Sequence, residues 1–80
     1  MTIWKYKFQT EIEMPKYAEI VHVGIQNSDV HLWAKVDPLR STETRCFSVY
    51  GTGHLIPDQA LYVGTVFDGP FVWHVFEIKE

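Results

Sequence analysis

The chain has 80 residues, 46% of them hydrophobic and 15% aromatic, with one cysteine and a formal net charge of −3. That length supports a single core, so residues 1–80 read as one domain; the apolar content excludes intrinsic disorder, and the lone Cys46 excludes an intramolecular disulfide. The acidic balance argues against non-specific nucleic-acid binding, which needs Lys and Arg along the phosphate backbone, and no apolar run of about 20 residues offers a membrane span.

The dominant period is two. From Thr2 to Thr10, Trp4, Tyr6 and Phe8 alternate with Lys5, Lys7 and Gln9, as in a strand with one buried face. Met14 to Tyr17 interrupts, because Pro15 cannot donate to a ladder. Ala18–Ile25 and Val30–Val36 then read as a β-hairpin closed by Asn27, Ser28 and Asp29. In its first arm Val21, Val23 and Ile25 share one face, while Ile20, His22 and Gly24 share the other. The polar run Leu39–Thr44 reads as an exposed loop.

Arg45–Tyr50 is a further strand, with Phe47 and Val49 on one face and Cys46, Ser48 and Tyr50 on the other. It runs into Gly51-Thr52-Gly53-His54 and a connection through Leu55–Gln59, where a short helical turn near Pro57–Ala60 would fit. Leu61–Phe67 and Phe71–Ile78 flank Asp68-Gly69-Pro70 as a second hairpin. Its last strand is apolar on both faces and so belongs mid-sheet or at a subunit interface. Six strands result, and the expected fold is all-β: a small six-stranded antiparallel barrel or two-layer sandwich built from hairpins. Twelve aromatic residues exceed what so small a core hides, so some lie at the surface and self-association into a homo-oligomer is expected.

The candidate chemistry is sparse. Gly51, Thr52, Gly53 and His54 place two glycines beside a hydroxyl and an imidazole; this suits either a structural strand exit or a ligand loop, and it lacks the spacing and lysine of a phosphate loop. His22, His31 and His74 lie in strands and in principle could meet at zinc, but His22 and His31, nearly opposite in the hairpin, equally suit an ordinary cross-strand pair. His54 or His74 with Asp37, Asp58 or Asp68 would make an acid–base pair, yet no nucleophile accompanies them. Neither a catalytic set, nor a metal site, nor a cofactor is therefore assigned. Trp33, Trp73 and Tyr50 suit core or dimer packing and ligand contact equally, and Arg45 is the cation placed with them in a candidate ligand set completed by Gly51 to His54.

Taken together, Ala18–Val23, Leu32–Pro38, Gly51–Pro57 and the block Gly69-Pro70-Phe71-Val72-Trp73-His74-Val75-Phe76-Glu77 carry a resemblance over nearly the whole length. The chain resembles a family of small phage and prophage proteins that has no assigned activity, cofactor or catalytic residue. The resemblance implies a non-enzymatic protein acting in the host-cell cytoplasm against host immunity. It would sequester a small polar ligand such as a cyclic nucleotide, or alternatively occupy the surface of a host defence protein. A small His-dependent hydrolase and a phage structural component are further alternatives.

Overall fold

A computed structural model describes residues 1–79. Among these there are seven strands, all paired antiparallel, and no helix: β1 (Thr2–Lys7), β2 (Glu11–Pro15), β3 (Glu19–Gln26), β4 (Asp29–Val36), β5 (Thr42–Gly51), β6 (Leu61–Asp68) and β7 (Phe71–Ile78). They form an open two-layer sandwich rather than a closed barrel, with sheet order β1-β4-β3 in one layer and β2-β5-β7-β6 in the other. The thinnest Cα dimension is 16 Å, in keeping with two layers packed about 10 Å apart. With no helix among the described residues, none crosses a membrane.

The strand beyond the six read from sequence is β2. The expected single strand Thr2–Thr10 changes sheets instead: Phe8 N–H donates to Val30 O in the first layer, and Thr10 O accepts from Phe47 N–H in the second. Pro15 does not interrupt a strand; it ends one that lies at the sheet edge, where a missing donor is tolerated. Thr42–Thr44, expected to be loop, pair with β2 as the start of β5. At 57–60 only a turn forms, in which Ala60 N–H donates to Pro57 O.

Both hairpins close on two-residue turns. Asn27 and Ser28 have φ of 54° and 68°, the signature of a type I′ turn, whose twist matches that of the flanking strands. In the other, Gly69 takes φ 59° ahead of Pro70, a backbone that only glycine adopts without strain.

Two bulges re-aim side chains. In β3 the register shifts between Ile20 and His22, so Ile20 and Val23 oppose Ala34 and Leu32 and share the inward face. Val21, expected on the same face as Val23, is the extra residue and is exposed. The shift also places His22 opposite Trp33 and His31 opposite Gly24, so the two histidines are not directly paired. In β6 the shift falls between Tyr62 and Gly64. A Cβ on Gly64 would lie 2.9 Å from Val23 Cγ2, so its absence lets β6 approach β3 and close one side of the sandwich.

The core comprises Ile12, Met14, Ala18, Val23, Leu32, Ala34, Val36, Phe47, Val66 and Val75, with Tyr6, Phe8, Val49 and Trp73 among the residues packed against it. β7 lies between β5 and β6, the interior position expected for a strand apolar on both faces. Arg45 also points inward. Its Nε and Nη2 donate to the two Glu77 carboxylate oxygens at 2.7 and 2.8 Å, and Nη1 donates to Ala18 O at 2.6 Å. The guanidinium, chiefly through these hydrogen bonds, holds the Glu77 carboxyl below its ordinary range, and Glu77 raises Arg45 in turn.

Candidate functional site

An open groove of about 420 Å³ with a mainly apolar lining lies at the tip of the four-stranded sheet. Its volume falls in the range of small-molecule sites. One wall is Gly51, Thr52 and His54; the other is Pro70 to Trp73. The walls meet because β5 and β7 are paired antiparallel with Gly51 opposite Trp73.

The glycine loop is closed by its own histidine. His54 N–H donates to Gly51 O at 3.1 Å, and Gly51 N–H donates to His54 Nδ1 at 3.1 Å. Since Nδ1 accepts, the neutral ring carries its proton on Nε2, which is left as a donor. A Cβ on Gly51 would sit 2.9 Å from His54 Cε1, so the missing side chain is what lets the ring fold over the strand end. Gly53 has φ 90°, which excludes other residues without strain.

Thr52 ties this loop to the sheet. Its hydroxyl bonds His74 Nε2 at 2.9 Å, His74 Nδ1 bonds the Thr65 hydroxyl at 3.1 Å, and that hydroxyl meets Tyr62 OH at 2.7 Å. Both His74 nitrogens are thereby engaged. Opposite the loop, the Phe71 and Trp73 rings stand stacked, 15° apart in plane with centroids separated by 5.7 Å. No Lys, Arg, Asp or Glu lines the groove.

Of the candidate ligand residues, the fold brings together Gly51, Thr52, His54 and Trp73, with Gly53 at the loop's apex. It does not bring the others to them. Tyr50 adjoins the loop but lies on the opposite sheet face, edge-on to Phe76 at 5.8 Å. Trp33 belongs to the other layer, between His22 at 5.4 Å and His31 at 6.0 Å. Arg45 lies at the far end of β5, paired with Glu77, and does not line this groove. His74 is in a different sheet from His22 and His31, so the three imidazoles considered for zinc do not meet, and among the described residues no group of three or more His, Cys, Asp and Glu is positioned to hold a metal ion.

Sequence reasoning missed Pro70, Phe71 and Val72. The signal was the Phe71/Trp73 alternation, but its meaning depended on knowing that β7 pairs with β5. Comparison with curated proteins gave no match, and neither did comparison with solved structures. One family model, described as a domain of unknown function (DUF7352), matches residues 1–80. Because that match takes in all seven strands and both walls of the groove, the chain belongs to the DUF7352 family.

Proposed function

We propose that this protein is a non-enzymatic binding module that sequesters a small planar heteroaromatic ligand, of the nucleoside or nucleotide class, in the groove between Gly51–His54 and Pro70–Trp73. The observation that carries the reading is the stacked Phe71–Trp73 pair facing a loop that presents the His54 Nε2 donor. Stacking on aromatic side chains contributes about 1–3 kcal/mol per base and suits any base, while the loop's polar atoms orient it. With no cation among the lining residues, the base of a cyclic nucleotide is the part held, and its phosphate stays in water.

The imidazoles support binding over catalysis by what they already do. His54 closes the loop and His74 anchors Thr52 to Thr65, so each holds structure in place. The resemblance to small phage proteins supports placing such sequestration in counter-defence within the host cytoplasm.

The test is isothermal titration with a panel of nucleosides, cyclic mononucleotides and cyclic dinucleotides, followed by chromatography of the ligand released on denaturation. The expected result is saturable binding of one class, unaltered on release, weakened at least tenfold in Phe71→Ala and unchanged in Trp33→Ala. Chemically altered ligand would replace the reading with an enzyme. No binding by any member, with a host protein co-purifying instead, would replace it with a protein-directed inhibitor of host defence.

A further inference from the structure

The two outer faces of the sandwich differ in kind. On the three-stranded sheet the outward side chains include Lys5, Lys7, Lys35 and Glu19, with Lys35 and Glu19 3.7 Å apart, as expected of a face open to water. On the four-stranded sheet, no outward side chain of β5 from Thr44, of β6 or of β7 is Lys, Arg, Asp or Glu. At its centre Phe76 meets Tyr50 and Tyr62 edge-on at 5.8 and 5.6 Å, and toward the margin Tyr62 and Phe67 are 63% and 75% exposed. Exposed aromatics without charge are the composition of an interface centre.

We infer that this face is the contact surface of a symmetric homodimer, in which the four-stranded sheets of two copies pack against each other. The charge distribution leaves this face the one where a second copy meets least repulsion. Each chain carries a net −3, which opposes self-association across most surfaces, whereas this face contributes no like-charge repulsion at its centre. Its carboxylates, Glu11 and Glu13, lie along the β2 margin. With a two-fold axis parallel to the strands, that margin covers β6 of the partner, whose outward residues are uncharged.

The size is adequate. Four strands at about 4.8 Å spacing, with about eight residues rising ~3.3 Å each, project to roughly 500 Å². Side-chain relief brings the accessible area toward the ~800 Å² per partner of a standard interface. The single chain exposes 5410 Å², against about 5000 Å² for a monomer of its mass, so there is surface left over to bury.

The measurement is sedimentation equilibrium of the full chain. At about 50 µM we expect twice the 9.3 kDa chain mass, and Tyr62→Arg and Phe67→Glu to raise the dimer dissociation constant at least about tenfold with the circular dichroism spectrum unchanged. The control Ile3→Arg, half-exposed on the outer face of the other sheet, should leave the dimer intact. Tyrosine nitration of the wild-type chain gives a readout independent of any variant: Tyr62 should be protected at high concentration and react on dilution, while Tyr17, 76% exposed, reacts throughout. A monomer at concentrations approaching 1 mM, a dimer broken by Ile3→Arg alone, or nitration of Tyr62 that ignores concentration would each overturn the inference. Ligand binding in the groove is read by titration and stands or falls separately.

Discussion

The Arg45–Glu77 pair is the most consequential polar contact in the core, and Glu77→Gln isolates its contribution. Side-chain exposures are 14% and 9%, so little water screens the pair, and Arg45 also satisfies Ala18 O. Glutamine keeps the shape but turns one acceptor into a donor facing the guanidinium and removes its hydrogen-bonded counter-ion, leaving only the more distant Glu43. Breaking a buried pair in this way costs about 3 kcal/mol. A chain of this length has roughly 4–12 kcal/mol in total, and its melting temperature moves by about 4–8 °C per kcal/mol, so a fall of roughly 12–24 °C is expected. Urea unfolding followed by tryptophan fluorescence between pH 7 and pH 3 measures it. Because the folded-state pKa of Glu77 is depressed, its stabilisation is fully present above the unfolded carboxylate value near 4.3 and is lost as pH falls through the folded value. The gap between wild type and Glu77→Gln should therefore narrow in acid. Arg45, raised from an already high value, stays charged throughout this window. Replacing both residues together, Arg45→Met with Glu77→Leu, should recover most of the loss. A gap under about 1 kcal/mol at pH 7, or one that does not change with pH, would refute the reasoning.

Four further outcomes test the packing. Val21→Lys should change stability by less than about 0.5 kcal/mol while Val23→Lys prevents folding, since the bulge leaves only Val23 in the core; equal effects by circular dichroism would contradict the register. Gly64→Ala should cost about 1–3 kcal/mol in chemical denaturation, because its Cβ would push Val23 and separate β3 from β6. Tyr17 has φ 65° and stacks under Arg40 at 4.9 Å, so Tyr17→Gly, relieving about 1–2 kcal/mol of strain but losing about 0.5 of contact and about 0.5 to unfolded-chain entropy, should change stability by no more than about 1 kcal/mol by the denaturation midpoint, where a larger loss would contradict the strain. Tyr6 OH is buried without a partner, which also raises its pKa, so Tyr6→Phe should stabilise by about 1 kcal/mol in the same assay.

Much of the architecture was legible because a strand writes its two faces into alternate positions. The alternation of Trp4, Tyr6 and Phe8, the Asn27-Ser28 and Gly69-Pro70 turns, and the two-sided apolar run of β7 are local signals, and from them came an all-β fold and a mid-sheet place for β7 as one of two readings. Short-range pattern does not encode a bulge, however, and one extra residue at Val21 reverses which side chains the core receives. Nor does it show that a strand such as β2 has changed sheets, since Ile12 and Met14 look the same whichever layer they cover.

The candidate site divides along the same line. Residues contiguous in sequence, Gly51 to His54, form one wall because their hydrogen bonds span only three residues. The opposite wall, the separation of Trp33 and Tyr50 from the groove, and the capture of Arg45 by Glu77 all depend on pairings between residues far apart in the chain. Composition and periodicity by themselves determined that this protein is a β scaffold with more aromatic surface than it buries. Only the tertiary structure decided which rings stand together and which face is left without charge, because cross-strand register is fixed by the whole set of packed strands and by no single segment.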